Sequence, residues 1–279
     1  MNPNSSFSIE SKAMCLITLL TDFGLRDGFI GVMKGVISQI DPNARLVDIS
    51  HDLPAFSISA ASFLIEWAYR YFPEGSVHLC VVDPGVGSSR RALVVESRGH
   101  IFVAPDNGLL TPFFDSTAAV RVIAATKPEF WLPTVSHTFH GRDVFAPLAA
   151  HAARGIPPSQ MGGEIHDPVR LPFPPLNIQP NSIECQIRYI DHFGNCITNL
   201  DQSAFSAWLQ QNAGQMDRVR VTCQQVQITG IANAYAATQA GEFLAVFNGY
   251  NRLEIAVRNG SAEEKGALQV ADPVVLILT

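Results

Sequence analysis

At 279 residues, 47% hydrophobic and 16% charged, the chain holds enough apolar material for one large domain or two and lies far from disordered compositions. A net charge of −6, with no Lys/Arg run longer than two, argues against a nucleic-acid or anionic-membrane surface. The first fifteen residues lack the basic and apolar regions of a signal peptide, no apolar run approaches the roughly 18–20 residues that span a bilayer, and five cysteines (Cys15, Cys80, Cys185, Cys196, Cys223) occur without a CxxC, so a cytoplasmic protein with reduced thiols is expected.

"CLITLLTDF" reads as a first strand. "DGFIGVMKGVISQI" follows as an amphipathic helix, with Phe29, Val32, Met33, Val36 and Ile40 at helical spacing and Asp27 available as its cap. "RLVDIS" is a second strand and "SISAASFLIEWAYRYF" a second helix capped by Ser57. "SVHLCVVD", apolar through its centre, reads as a strand buried on both faces, with Cys80 a small core residue. "ALVVES", "IFVAPD" and "VRVIA" follow, and "GRDVFAPLAAHAARG" closes the run as a helix. Such alternation predicts an α/β domain over residues 15–155, a mostly parallel sheet with flanking helices. Residues 156–182 then hold seven of the chain's eighteen prolines and read as an extended linker. Beyond it, "SIECQIRYI", "RVRVTCQQVQITG", "FLAVFNG", "RLEIAVRN" and "PVVLILT" predict a small β-rich, barrel-like domain over 183–279.

Ligands of open α/β sheets bind beyond the carboxyl ends of the strands, so those loops carry the candidates. The first strand ends at Asp22, whose carboxylate either caps the turn or grips a vicinal diol. "VVDPGVGSSRR" leaves its strand at Asp83 and folds back through two glycines to Arg90 and Arg91: a turn closed by an ion pair, or an active-site loop. No GK[ST] follows, which disfavours a Walker nucleotide site. Asn107 lies in an Asp-Asn-Gly turn that its own turn chemistry explains, or faces the cleft. "SHTFHGRDVFAP" places His137 and His140 before a helix. The H-x-x-H spacing without HExxH or a third ligand disfavours a metal, and a histidine there is otherwise a general acid/base candidate. In the second domain Asp191 and Asn195 flank Phe193 and Gly194, and Asn259 to Ala262 offer backbone donors.

Six ordered motifs, "LLTDFGxxDxFxGxxKG", "VVDPGVGSSRR", "APDNGLL", "TFHGRDVFAP", "DHFGNCxTN" and "RLEIAVRNGSA", resemble the S-adenosyl-L-methionine (SAM) hydrolase family, also called SAM hydroxide adenosyltransferases, relatives of fluorinase and chlorinase. The resemblance runs from Leu16 to Ala262. It implies an α/β domain plus a C-terminal barrel-like domain, a homotrimer with sites at subunit interfaces, and the reaction of SAM with water to adenosine and L-methionine. It implies a catalytic triad of Asp83, Arg90 and His140, with Arg91 a structural neighbour. Asp22 would bind the ribose, Asp191 the methionine amine and Asn195 the adenine edge, while Tyr235 would lie over the adenine. Two motifs depart from the family pattern. Asn248-Gly249-Tyr250 stands where relatives carry Asn-Ser, at the grip on the methionine carboxylate, and Arg258-Asn259-Gly260 shifts the adenine loop that includes Ala262.

SAM carries a sulfonium, so methionine leaves as a neutral thioether and no metal or cofactor is required. Water must be positioned in line with the ribose 5′ carbon and sulfur. Arg90 would stabilise developing hydroxide, and Asp83 and His140 would orient the water and move its proton, with His140 the acceptor. Three other readings compete: a SAM-dependent 5′-halogenase, which the charged triad disfavours, a non-catalytic SAM or adenosine binder, and a metal-dependent hydrolase using His137 and His140.

Overall fold

The computed structural model describes residues 16–114, 119–212 and 215–278; Cys15, where the first expected domain begins, lies outside them. The chain forms two compact units that divide between Leu171 and Pro172, inside the proline-rich stretch.

The first unit contains β1 (Leu16–Thr21), α1 (Phe29–Ile40), β2 (Arg45–Ser50), α2 (Ile58–Ala68), β3 (Val77–Val81), β4 (Ala92–Ser97), β5 (His100–Pro105), β6 (Arg121–Ala124), α3 (Ala146–Ala153) and β7 (Gly163–Glu164). Its seven strands form one sheet in the order β2-β1-β3-β5-β4-β6-β7. The expected parallel pairing holds for β2, β1, β3 and β5. Beyond them the sheet is antiparallel, because Arg98 and Gly99 join β4 to β5 with φ of +52° and +77°, and two residues make a hairpin, not a crossover. β1 and β3 are buried almost throughout, and Ile17, Leu19, Leu79 and Val81 pack with α1 and α3 into the main core.

Two expected features of α1 differ. Gly28, not Asp27, occupies the cap position, and no side chain caps it. The buried stripe is Ile30, Met33, Val36 and Ile37, while Phe29 and Val32 stay 45% and 46% exposed at its margin. Ser57 caps α2 as expected, accepting from Ala60 N–H at 3.3 Å. The helix expected over 141–155 opens with a π-turn, Gly141–Phe145, before α3.

One polar element interrupts this core. Thr18 of β1 lies opposite His78 of β3, and its hydroxyl meets His78 Nδ1 at 2.7 Å. His78 Nε2 faces Nδ1 of His100 at 3.2 Å, and neither ring is appreciably exposed. Burial, reinforced by His100, lowers the His78 pKa to about 3, while an unfolded histidine titrates near 6.5. The folded value is depressed, so the stability is fully present above the unfolded pKa and is lost as pH falls below it, because only the unfolded chain then takes up the proton. By pH 4 this one group costs about 3 kcal/mol. Urea unfolding at pH 7 and pH 4 should show that loss, and His78→Gln should remove most of its pH dependence; an unchanged dependence in the variant would refute the assignment.

The second unit contains β8 (Asn177–Gln179), β9 (Ser182–Ile190), β10 (Cys196–Asp201), α4 (Gln202–Gln211), β11 (Val219–Cys223), β12 (Val226–Thr229), β13 (Phe243–Phe247), β14 (Arg252–Val257), α5 (Ala262–Gly266) and β15 (Pro273–Leu278). The order β12-β11-β15-β9-β10-β14-β13 is antiparallel throughout, with β8 added to β9. Ala232 bridges to Val246 beyond β12, which nearly closes the sheet into the expected barrel. Helix α4 was not expected. Asp201 caps it through Ala204 N–H at 2.8 Å, and buried Phe205 and Trp208 fasten it to the barrel core. The proline-rich stretch is shared out: β7 joins the first sheet and β8 the second. Cys80, Cys185, Cys196 and Cys223 are buried free thiols.

Candidate active site

Strand β3 delivers Asp83 two residues past its end, and a tight loop returns Arg90 to it. Ser88 N–H donates to Gly85 O at 3.1 Å, and its hydroxyl donates there at 2.7 Å. Arg90 Nε then donates to both Asp83 oxygens at 2.9 and 3.0 Å, and Nη2 donates to Oδ2 at 2.5 Å. The side chains are 5% and 10% exposed, and Arg90 also lies over the Phe145 ring at 5.0 Å. Buried, clamped and fork-like, this pair is no loose surface ion pair.

His140 comes from the other side, immediately before the π-turn. Arg90 Nη2 meets its Nδ1 at 2.7 Å. A guanidinium can only donate, so Nδ1 accepts, and a neutral His140 carries its proton on Nε2. Burial first, then the Arg90 charge, lowers the His140 pKa, although Asp83, Asp143 and a hydrogen bond to the Ser136 backbone oppose the shift. The ring is therefore neutral at physiological pH.

Asp143, fully buried, holds the segment that presents His140. Its Oδ2 accepts from Ser136 N–H at 2.8 Å and Ser136 Oγ at 2.7 Å, and Arg142 Nε donates to Oδ1 at 2.5 Å. Ser136 Oγ in turn accepts from Phe139 N–H at 3.1 Å. Burial pushes the Asp143 carboxyl up, but the Arg142 and Ser136 bonds outweigh it and hold the group below its usual range. The two loops also meet directly. Gly87 sits at φ +81°, and a Cβ there would lie 2.5 Å from the carbonyl oxygen of His137. Among the described residues no three His, Cys, Asp or Glu side chains converge as metal ligands, and His137 is exposed.

The remaining expected residues of this unit fall nearby in the fold. Asn107 donates from Nδ2 to Val82 O at 2.9 Å and accepts from Leu109 N–H at 3.2 Å, so it pins the strand end that carries Asp83. Arg91 is tied elsewhere, to Asp106 at 2.6 Å and Asp167 at 2.8 Å. Asp22 accepts from Phe56 N–H at 2.8 Å through Oδ2. Phe56, which sequence reasoning missed, stands at φ +66° with its side chain 71% exposed, a strained aromatic held out beside Asp22. A phenylalanine two residues after Pro54 and just before a helix gave no signal of this.

In the second unit Asp191 and Asn195 close one turn. Asp191 Oδ1 accepts from the Phe193 and Asn195 N–H groups at 2.9 and 3.0 Å, and Asn195 Nδ2 donates to Oδ2 at 3.0 Å. Ala262 and Glu263 both donate their N–H groups to Gly194 O, at 3.1 and 3.0 Å. The Ala262 donor expected for a ligand is thus committed within the fold; Asn259 stands exposed at φ +55° in the turn before it. Asn248 is equally committed: Oδ1 accepts from Tyr250 and Arg252 N–H at 2.9 and 3.2 Å, and Nδ2 donates to Glu254 at 2.8 Å. Tyr235 donates to the same Glu254 at 2.7 Å. Sequence reasoning missed Glu254, which reads as the polar member of an alternating strand.

This arrangement can be set beside known proteins. Residues 17–162 match the N-terminal domain, and residues 185–275 the C-terminal domain, of the SAM hydroxide adenosyltransferases. The chain belongs to that family. Among SAM hydroxide adenosyltransferases it is similar to the (R)-S-adenosyl-L-methionine hydrolase of Thermus thermophilus, 36% identical over 94% of this chain and 99% of the relative. The enzyme of the same name from Salinispora tropica is 33% identical over 89% and 92% of the two chains. A fluorinase from an Actinoplanes species is more distant, 26% identical over 67% of this chain and 72% of its own. A solved structure of an uncharacterized conserved protein from Thermotoga maritima superposes with a TM-score of 0.86 at 33% identity, covering 94% of this chain and 99% of that one.

Proposed function

We propose that the protein hydrolyses SAM to adenosine and L-methionine by in-line attack of an oriented water or hydroxide on the ribose 5′ carbon. The observation that carries this reading is the buried Asp83–Arg90–His140 array on a chain whose full-length relatives bear the name SAM hydrolase. Asp83 fixes the guanidinium. Arg90 fixes the imidazole tautomer. The array then presents fixed positive charge to an attacking oxygen, which favours its hydroxide form. Because Nδ1 accepts from Arg90, His140 orients that oxygen from a ring held in place, and the proton-accepting role expected from sequence would require that bond to open. The C–S bond breaks as the C–O bond forms, methionine leaves as a neutral thioether, and the proton of the water passes to solvent.

Asp22 is suited to the ribose diol, and the Phe56 ring beside it to the flat nucleoside. Asp191 with Asn195 supplies charge and amide for the methionyl amine and the adenine edge, with Tyr235 and Asn259 at its border, while Asn248 and Ala262, engaged by their own fold, shape that surface. No metal or cofactor enters, since a sulfonium needs no Lewis acid. A 5′-halogenase is less favoured, because a halide site wants neutral donors and the fluorinase relatives are more distant. A homotrimer with sites completed by a neighbouring subunit belongs to the same reading; Leu25, Phe29 and Val32, 77%, 45% and 46% exposed, support association through the first unit. A cytoplasmic location is supported by the four free thiols among the described residues. No helix among the described residues is long and apolar enough to cross a membrane.

Purified protein incubated with SAM should release adenosine and methionine in equal amounts, with or without EDTA and with or without chloride. Unreacted SAM across a range of pH, or loss of turnover on chelation, would sink the reading. Light scattering of the same preparation should return a trimer mass; a monomer at micromolar concentration removes that part.

A further inference from the structure

Glu254 projects from β14 opposite Ile197 of β10 and Val246 of β13. Its neighbours Leu253 and Ile255 enter the barrel core, so the alternation of the strand sends Glu254 to the other face. That face is covered: Ala256, Leu244 and Val246 form a small apolar cluster there with Ala232, and Glu254 is 2% exposed. The side chains that meet its carboxylate are a phenol and an amide, one per oxygen: Tyr235 Oη on Oε1 at 2.7 Å and Asn248 Nδ2 on Oε2 at 2.8 Å. Burial pushes its pKa up, the two bonds pull it back, and the like charge of Asp191 adds to the rise. Its field is also felt at Tyr250, whose phenol burial already pushes up, and at the buried Cys196 thiol.

A carboxylate in such surroundings is expensive to keep, and an uncharged side chain of similar size would fold more cheaply. What it does provide is order and sign. It ties the 3-10 turn Tyr235–Ala237 to the turn at Asn248 through a single carboxylate. It also adds negative charge beside Asp191. SAM carries both of its positive charges, sulfonium and ammonium, on the methionyl half, and adenosine carries none.

We propose that Glu254 is a positioning residue for the methionyl half of the substrate, fixing Asn248 at the expected carboxylate grip and favouring the substrate's ammonium charge. This rests on the SAM reading above. The ammonium keeps its charge while the sulfonium loses its own on C–S cleavage, so through the ammonium the role is one of uniform binding, in which ground state and transition state gain alike, and it belongs in KM and not in kcat.

The test is steady-state kinetics of Glu254→Gln, which keeps the size and removes the charge, with adenosine binding by calorimetry as the uncharged comparison. The expected result is a KM for SAM raised about tenfold or more, from the weakened charge-assisted bonds, with kcat changed by less than about threefold. Adenosine affinity should stay within about twofold of the parent, since adenosine carries no cation. Should Glu254→Gln fail to fold, Tyr235→Phe removes one of the two bonds and should give the same split at smaller size. An unchanged KM, or an equal loss of SAM and adenosine binding, overturns the proposal. A parent protein that does not cleave SAM fails at the earlier reading instead, and so is told apart.

Discussion

Arg90→Ala will bind SAM nearly as well as the parent protein and turn it over about a hundred- to thousandfold more slowly, the cost of one preorganised charge in a water-poor site. The guanidinium has two jobs that alanine abolishes together. It supplies positive charge beside the attacking oxygen, and its Nη2 donates to His140 Nδ1 at 2.7 Å. Without that bond the imidazole is free to adopt either tautomer. His140→Ala should have a similar effect, and the double variant should lose less than the sum of the two, because contacting groups act as a unit. Arg91→Ala gives the comparison. It breaks the ties to Asp106 and Asp167, so it should lower the melting temperature while leaving kcat near that of the parent. Single-turnover assays with saturating SAM decide the matter: a crippled Arg91→Ala with a mild Arg90→Ala would reverse the assignment, and full activity in both would reduce the loop to a turn.

Asp143→Ala should be strongly destabilising, by about 3 kcal/mol, because it leaves part-buried donors without their acceptor. Ser136 loses the acceptor of its N–H and its hydroxyl, and the anchoring of Phe139 N–H by Ser136 Oγ loosens with it. The expected signature is combined: a lower urea midpoint and a fall in turnover as His140 loses its fixed position. The folded pKa of Asp143 is depressed, so its contribution is present above the unfolded carboxyl pKa and lost as pH falls through the folded one. Equal stability of Asp143→Ala and parent at pH 7 would mean that solvent replaces the carboxylate at no cost.

The sequence carried the chemistry of the first unit further than its topology. The pairing of Asp83 with Arg90 was legible because a buried apolar strand, an acid, two glycines and an arginine in one short run fold back on themselves; the choice between a plain turn and a site came only with the resemblance. The antiparallel half of the sheet was not, since strand periodicity is blind to direction and only the two-residue link at Arg98–Gly99 encodes it. Helix α4 carried a signal that went unread among the surrounding strands: the Asp201 cap, followed by Ala204, Phe205, Trp208 and Leu209 at helical spacing. Glu254 and Phe56 were invisible for another reason. One looks like the outward residue of an ordinary strand and the other like loop filler, and what distinguishes them is the chain that happens to cover or expose them. Asn248 and Ala262 show the converse: residue types suited to a ligand, already engaged by their own fold.

The contact between Gly87 and the His137 carbonyl bears on how this protein can be altered. With 2.5 Å between a notional β-carbon and that oxygen, and φ at +81°, saturation mutagenesis at position 87 should return an almost empty column. The loops at 83–91 and 136–140 are therefore keyed to each other through a backbone that no side chain can adjust. Anyone grafting a relative's loop to change the nucleophile would have to transplant both segments as a single cassette, since either one alone would be held off its seat.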